Sequence, residues 1–539
     1  MTDAPELIQQ IQAGYAFSGP ALDFGAAVAD NTAYPQAQVQ IPLGVINRHG
    51  LVAGATGTGK TKTLQLMAEQ LSAGGVPVFL ADIKGDLSGL ATPGVSNEKI
   101  AKRAAEIGEE WVGTAYPVEF YALGGQGTGI PVRASISAFG PTLLAKVLGL
   151  NDTQESSLGL VFHYADQAGL WLDDLKDLRA VVQHLTSDEG KDDLKNLGGL
   201  SSATAGVILR ELITFADQGA DVFFGLPEFD TADLLRTAPD GRGLVSVLEL
   251  PAVQDRPALF STFLMWLLAD LFHDLPEVGD LDKPKLVFFF DEAHLLFDGA
   301  SKDFQQAIEQ TVRLIRSKGV GIFFVTQSPK DVPADVLAQL SNRVQHALRA
   351  FTPDDAKALK AAVSTYPKSG YDLASLLTSL GIGEAVVTVL SERGAPTPVA
   401  WTRMRAPQSL MAPSDPALVS QTVAASSLQA KYGTALDRES AFEKLTAAQQ
   451  ATAAAAAAAQ AQAAQAKADA DAAKAAETQA KAAAKAQADA EREAARRQRE
   501  EPTVVEQAIN SPFAKSMLRS MGTAIGRQIT RSIFGTSRR

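Results

Sequence analysis

"NRHGLVAGATGTGKTKT", residues 47–63, is the stretch that decides the fold of this chain. Its apolar residues 51–53 are typical of a short β-strand. They lead into a glycine-rich loop, residues 54–61, that matches GxxxxGK[ST], and helical spacing follows. Such a loop binds phosphate, because glycines let backbone N–H groups approach the oxygens at the helix N-terminus. The stretch therefore predicts an α/β fold that binds a nucleotide.

The loop supplies the expected nucleotide ligands. We expect Lys60 to reach the β- and γ-phosphates and the Thr61 hydroxyl to ligate Mg²⁺. ATP and Mg²⁺ are the predicted cofactors. The predicted nucleotide-binding residues are Thr56, Gly57, Thr58, Gly59, Lys60, Thr61 and Lys62. The loop alone does not distinguish a kinase, a GTPase or a motor.

A second motif supplies two carboxylates. The apolar run "KLVFFF" (285–290) predicts a buried strand that ends at Asp291 and Glu292. Asp291 suits Mg²⁺ coordination through water, and Glu292 suits the base that polarises an attacking water. The alternative is that both acids begin a helix, where negative charge is favourable. We favour the catalytic pair, because the two motifs support each other.

A third predicted strand, "VGIFFVTQ" (320–327), places Gln327 where it can sense the γ-phosphate or orient the water. The alternative is a turn residue before Ser328. The preceding helix carries Arg313 and Arg316, one of which could enter a neighbour's site as an arginine finger. The alternative for both is a solvated helix face.

The strand end "FLADIKGD" (79–86) carries three further charged residues near the loop. Asp82, Lys84 and Asp86 either hydrogen-bond Lys60 or the water, or only shape their own loop. Arg343 and Arg349 are weaker candidates for the finger. The six histidines lack metal-ligand spacing and are expected to be structural.

Length and composition limit the classes of protein to which this chain can belong. At 539 residues, two or more domains or a long appendage are expected. A hydrophobic content of 46%, an acidic start and no long uninterrupted apolar segment predict a soluble cytoplasmic protein without an integral membrane segment. The lack of cysteine excludes disulfides and thiolate metal sites. The net charge of −12 argues against general affinity for nucleic acid.

Composition divides the chain into seven segments. Alternating strand and helix patterns in the core predict a mostly parallel sheet. The segments are a lead-in (1–44), the first part of a P-loop ATPase core (45–140), an all-helical insertion (141–238), the second part of the core (239–410), a linker (411–439), a long alanine-rich helical spacer (440–501) and a basic amphipathic C-terminal helix (502–539).

The two C-terminal segments leave alternatives open. The spacer would extend about 90 Å as one helix, with favourable pairs of Glu477 with Lys481 and Glu493 with Arg497. It is either a solvated spacer or an alanine-rich coiled coil. The basic helix either docks on the protein or a neighbouring subunit, binds nucleic acid or a protein partner, or lies on an anionic membrane.

The quoted motifs, together with "FFFDEAH" (288–294), "RLIRSKGVGIFFVTQSP" (313–329) and "LSNRVQHALRAF" (340–351), resemble the HerA/FtsK branch of RecA-like motor ATPases. The resemblance is closer to the bacterial stand-alone HerA-like proteins of the YjgR type and covers about residues 40–405. It implies a RecA-like core and a homo-oligomeric ring, expected to be a hexamer. It also implies Lys60 and Thr61 as phosphate and Mg²⁺ ligands, Asp291 and Glu292 as the Walker B pair, Gln327 as the sensor and Arg316 as the trans finger.

Two departures limit the resemblance. HerA proteins begin with a β-barrel domain, for which the segment before the P-loop is too short. The letters "DEAH" also occur in superfamily 2 helicases, but neither an "SAT" motif nor a paired-arginine box follows them here.

Two functions from different classes remain. One is a ring-forming ATP hydrolase that translocates or unwinds DNA, or threads another polymer. The other is an assembly or regulatory switch that hydrolyses ATP without acting on nucleic acid and presents its C-terminal helix to a partner. A small-molecule kinase is disfavoured, because Glu292 is a base that phosphotransfer does not need. We favour Mg²⁺-dependent ATP hydrolysis at subunit interfaces.

Overall fold

The computed structural model describes residues 4–194, 198–279, 281–297 and 302–498, and a single twelve-stranded sheet organises it. The predicted basic helix 502–539 lies outside these residues. The strands are β1 (Ala21–Ala29), β2 (Thr32–Pro42), β3 (Gly50–Ala53), β4 (Val78–Asp82), β5 (Val118–Leu123), β6 (Ile130–Val132), β7 (Val245–Glu249), β8 (Leu286–Phe290), β9 (Val320–Thr326), β10 (Asn342–Gln345), β11 (Glu384–Thr388) and β12 (Ala400–Met404).

Helices pack on both faces of this sheet, and further helices form the insertion and the C-terminal end of the described chain. They are α1 (Ala4–Gly14), α2 (Lys60–Ala73), α3 (Glu98–Ile107), α4 (Ile136–Phe139), α5 (Pro141–Val147), α6 (Asp152–Gln167), α7 (Leu175–Thr186), α8 (Ser202–Asp217), α9 (Pro257–Asp274), α10 (His294–Phe297), α11 (Lys302–Ile315), α12 (Ala334–Leu337), α13 (Pro353–Ser364), α14 (Leu373–Ser379), α15 (Pro416–Ala425), α16 (Ser427–Tyr432) and α17 (Ala441–Gln498).

The strand order is β2-β1-β12-β11-β10-β3-β9-β8-β4-β7-β5-β6. All neighbours from β10 to β6 are parallel, and the strands from β10 to β2 are antiparallel. The P-loop strand β3 therefore lies inside a parallel sheet, with β9 between it and the strand that ends at Asp291. This is a RecA-like α/β core, and the predicted mostly parallel sheet is confirmed.

The two faces of the sheet contribute to separate cores. Along β3, Leu51 and Ala53 join the core formed with α9 and the helices of the insertion, whereas Val52 joins the core formed with α1 and α2. Phe288 and Phe289 of β8 divide in the same way. Strands buried on both faces need apolar residues at every position, which explains their uniformly apolar sequences.

The segment 1–44 differs from the expected lead-in, since α1, β1 and β2 lie within it and both strands extend the sheet. The β1–β2 register shifts between Asp23 and Gly25 and again between Ala26 and Ala27. A bulge breaks the period-two pattern by which a strand is recognised in a sequence. At Gly25 a Cβ atom would lie 2.1 Å from the Arg403 carbonyl oxygen, so this strand requires glycine.

The insertion and the linker are both helical. Residues 141–238 form α5 to α8 and short 3-10 turns, with no strand among those described, which confirms the predicted helical insertion. Residues 411–439 contain α15 and α16. Two side-chain hydrogen bonds join the linker to the insertion: the Tyr432 hydroxyl to Asp233 at 2.6 Å, and Arg438 to Asp173 at 2.7 Å.

Two units divide the chain, residues 1–449 and residues 450–539. The long helix α17 begins in the first unit, where Asp177 accepts a hydrogen bond of 2.9 Å from the Phe442 backbone N–H. From residue 450 to residue 497 every side chain of α17 is exposed. The predicted pairs are confirmed, at 2.6 Å for Glu477–Lys481 and 3.3 Å for Glu493–Arg497. Within the described part of the chain, no helix has both the length and the apolar character needed to cross a bilayer.

Two histidines are buried as neutral rings. The ring of His346 donates from Nδ1 to the Glu384 carbonyl at 2.8 Å, and its Nε2 lies 2.9 Å from the Thr63 hydroxyl. The Nδ1 of His49 accepts a backbone hydrogen bond of 3.1 Å from Ile322. Burial lowers the pKa of each ring from 6.5 to about 4. Both rings therefore stay uncharged in the folded protein at neutral pH.

We predict that acidification destabilises the fold through these rings. Because each pKa is lower in the folded state, the unfolded chain binds more protons between about pH 6.5 and pH 4, so stability is complete above this window and is lost as pH falls through it. Denaturant unfolding of His346→Gln should show a shallower pH dependence than wild type. An identical dependence would contradict the assignment.

Candidate nucleotide-hydrolysis site

The parallel strands bring the predicted site residues to one edge of the sheet. Ala53 at the end of β3 is paired with Thr326 of β9, and Phe290 at the end of β8 is paired with Phe324 of β9. Ala81 of β4 is paired with the same Phe290. Because parallel strands end at the same edge, the P-loop, Gln327, the Asp291–Glu292 pair and the loop after β4 converge there.

The P-loop is held by the ends of its two neighbouring strands. The Gly54 N–H donates to the Thr326 carbonyl at 3.2 Å, and the Ala55 N–H donates to the Ala347 carbonyl at 2.8 Å. Gly57 and Gly59 have φ values of 78° and 120°, which favour glycine. A Cβ at Gly57 would meet no described atom within 4 Å, so the backbone is open on the side where phosphate oxygens would approach.

Three predicted ligands follow at the N-terminus of α2. Lys60 is buried, and its ammonium donates to the Ala55 carbonyl within the loop at 3.2 Å. Burial lowers the pKa of Lys60, an effect that the carboxylates of Glu292 and Asp291 oppose. Thr61 is half-buried beside it. Lys62 instead donates to Gln65 of the same helix at 3.1 Å.

Asp291 has the features of a cation ligand. Its Oδ1 accepts a 2.9 Å hydrogen bond from the Glu292 backbone N–H. Its Oδ2 is buried and has no hydrogen-bond partner in the described part of the chain. Burial and the charge of Glu292 raise the pKa of Asp291 to about 7. A buried carboxylate oxygen without a partner fits Mg²⁺, a hard cation that takes oxygen ligands.

Glu292 is held in an unusual position. Its φ of 48° is in the left-handed region, which is uncommon for a residue with a side chain. Its Oε1 accepts a short hydrogen bond from the Lys84 ammonium. Its Oε2 lies 3.3 Å from His294 Nδ1. Burial raises the pKa of Glu292, but the hydrogen bond and charge of Lys84 outweigh it and leave the pKa below its ordinary value.

The loop after β4 resolves the alternatives left open for Asp82 and Lys84. The buried carboxylate of Asp82 accepts three backbone hydrogen bonds, from Lys84 at 3.2 Å and from Gly85 and Leu87 at 2.7 Å. Asp82 therefore shapes its own loop. Lys84, carried by that loop, contacts Glu292 rather than Lys60.

A cavity of about 810 Å³ adjoins the P-loop, and exposed Gln327 lines it. Thr56, His294 and Arg349 also line it. Gln327 thus faces the same space as the loop, as a sensor of the γ-phosphate would. Sequence reasoning missed His294 and gave Arg349 little weight. Adjacency to Asp291–Glu292 was the available signal for His294, whereas only the fold places Arg349.

The structure does not bring the two predicted finger residues to this edge. Arg316 precedes β9, whereas the P-loop lies beyond the other end of the parallel strand β3. Seven residues of β9 separate the two ends by about 20 Å. Arg313 is an exposed residue of α11 that lies 3.9 Å from Glu309. Arg316 therefore lies too far from the P-loop of its own chain to reach it.

Comparison with known proteins gives one family. The family model described as "Helicase HerA-like C-terminal" matches residues 28–539. The DNA double-strand break repair helicase HerA of Sulfolobus acidocaldarius is 21% identical over 377 residues, 69% of this chain and 67% of that protein. The probable helicase MJECL08 of Methanocaldococcus jannaschii is 32% identical over 150 residues, 26% of this chain. That match spans 28% of the relative's length, and the match to the probable helicase MJ1565 spans 20%.

The chain also has low-identity matches among solved structures. The bacterial conjugative coupling protein TrwB has a TM-score of 0.48 and 15% identity, over 76% of this chain and 94% of that chain. VirB4 of Thermoanaerobacter pseudethanolicus has a TM-score of 0.46 and 14% identity, over 74% of this chain and 98% of that chain.

We predict that Asp291→Asn stabilises the protein while weakening its use of Mg²⁺. The substitution removes a buried charge that has an unpartnered oxygen and faces Glu292, so the Tm at about pH 8 should rise. Affinity for Mg²⁺ with ATP, followed with a fluorescent ATP analogue, should fall about tenfold or more.

The matched control for this prediction is Asp82→Asn. Asp82 is equally buried but accepts three backbone hydrogen bonds, so its replacement should lower the Tm. A comparable loss of Tm in Asp291→Asn would show that the Asp291 carboxylate serves the fold rather than a cation.

Proposed function

The chain belongs to the HerA-like helicase C-terminal family, and on that premise we propose that it is a Mg²⁺-dependent ATPase motor, a ring-forming DNA translocase or helicase. The observation that carries ATP hydrolysis is the convergence of the P-loop with Asp291 and Glu292 at one edge of the sheet. A strand separates the two motifs, and that strand places Gln327 between them.

Each residue has one role in this proposal. Lys60 and the N-terminus of α2 bind the phosphates, and Thr61 and Asp291 hold the cation. Mg²⁺ supplies neutralisation of the charge on the β- and γ-phosphates. Glu292 takes a proton from the attacking water, which Gln327 orients. The P-loop ammonium and the N–H groups of the loop then stabilise the charge that develops on the transferred phosphoryl group.

The position of Arg316 supports assembly of the chain into a ring. An arginine at the far end of the sheet can serve a phosphate site only in another subunit, as in a head-to-tail ring. Arg316 lies at the opposite end of the sheet from the P-loop of its own chain, where such a neighbour would dock. The proposed assembly is a homo-oligomeric ring, with six subunits expected.

The first test is steady-state ATP hydrolysis by the full chain, with and without single- and double-stranded DNA, together with its mass in solution. The proposed motor predicts a ring-sized particle whose turnover DNA raises several-fold. Glu292→Gln should abolish turnover while ATP still binds. Glu292-dependent hydrolysis that is indifferent to DNA would favour the second candidate, an assembly switch that does not act on nucleic acid, which the net charge of −12 favours.

The trans finger has a test of its own. Lys60→Ala and Arg316→Ala should each be inactive, but mixing them should restore activity at up to about a quarter of the sites, because one subunit supplies the loop and the other the arginine. If Lys60→Ala regains activity when it is mixed with Arg313→Ala, and not when it is mixed with Arg316→Ala, the finger is Arg313. Full activity of Arg316→Ala alone would contradict a finger at that position.

A further inference from the structure

One oxygen of the Glu292 carboxylate is paired with a lysine, and the other is buried 3.3 Å from His294 Nδ1. The Oε1 atom accepts from the Lys84 ammonium. The Oε2 atom is buried and makes no hydrogen bond with any residue that the structure describes. A general base must lie within hydrogen-bond reach of the proton that it removes. The structure therefore holds the proposed base in a resting position.

The fold fixes the backbone of Lys84 but leaves its ammonium group able to move. Asp82 accepts three hydrogen bonds from the backbone of residues 84–87, so the loop that carries Lys84 is firmly placed. The Lys84 side chain itself is 48% exposed, against 8% for that of Glu292. A lysine has a flexible four-carbon stem, so its ammonium can leave the carboxylate while the loop stays in place.

The surroundings of Lys84 favour exchange of its ammonium between two anions, the Glu292 carboxylate and a bound γ-phosphate. The charge of Lys60, the proposed phosphate ligand, interacts with the charges of Lys84, Asp291 and Glu292. A γ-phosphate bound by Lys60 would thus bring a second, more strongly charged anion beside Lys84.

We propose that Lys84 is a latch on the catalytic base: it holds Glu292 in a resting position, and the γ-phosphate of ATP releases Glu292 by drawing the ammonium away. The latch rests on the proposed function, since it acts on the base of that reaction. Lys84 is then a positioning residue: its departure must precede proton removal in each turnover, so opening of the latch limits kcat. ADP, which lacks the γ-phosphate, leaves the latch closed.

The test compares Lys84→Met and Lys84→Arg with wild type in the full-length chain. Methionine keeps the length of the stem without the charge, so kcat should rise about threefold or more, with Kd for ADP within about twofold of wild type. Arginine keeps the charge and should restore slow turnover. Lys84→Gln gives a second neutral variant with the same expected direction should methionine disturb folding, which Tm reports.

A matched control is available in Lys431→Met. Lys431 is 46% exposed and pairs with Asp233 at 2.9 Å outside the site. Removal of the Lys431 charge should leave kcat unchanged. That result would show that the rise in kcat requires loss of the pair at Glu292, and does not follow from loss of a lysine–carboxylate pair elsewhere.

Two results would overturn the latch, and both are distinct from failure of the proposed function. An unchanged kcat in Lys84→Met would mean that the contact does not restrain the base. A lower kcat would mean that the Lys84 charge assists the reaction rather than restraining the base. The double variant Lys84→Met with Glu292→Gln should be inactive. If Glu292→Gln alone keeps wild-type turnover, the assignment of the base is wrong and the proposed function falls with it.

Discussion

The parallel register of β3, β9, β8 and β4 is the constraint on which the site depends. These strands end together, so the glycine-rich loop, Gln327, two acids and a lysine meet without being close in the sequence. The register is set by side chains that divide between two apolar cores, since a slip by one residue would exchange the two faces. The geometry of the site is thus a consequence of packing several residues away.

Unfavourable electrostatics are concentrated at the same edge. Burial raises the pKa of Asp82 to about 6, of Asp291 to about 7 and of Glu249 to about 8, and neighbouring carboxylates add to each increase. Only Asp82 is fully hydrogen-bonded, and it shapes a loop. Asp291 and Glu249 each have a buried oxygen without a partner in the described residues. Such groups destabilise a fold, and their collection at one place is typical of a functional site.

The sequence was sufficient to predict the structure wherever one residue pattern is compatible with one kind of element. Apolar runs ending in polar residues located β3, β8 and β9, and the alanine-rich composition located α17. It was insufficient where structure depends on distant contacts. The strands β1 and β2 were not predicted, because bulges break the period-two pattern of their side chains. The contact of Lys84 with Glu292 joins residues 208 positions apart. The finger residues stay predictions, because one chain does not show what its neighbour supplies.

The long helix α17 gives the chain two kinds of thermal behaviour. The sheet and its two cores melt together, because each strand is buried by its neighbours. Residues 450–497 of α17 are exposed throughout and depend on intrinsic helix propensity, so they should lose structure gradually as temperature rises. These residues therefore make a non-cooperative contribution to the helical signal of the described chain. Circular dichroism at a single helical wavelength would report a broad transition even when the ATPase core unfolds sharply.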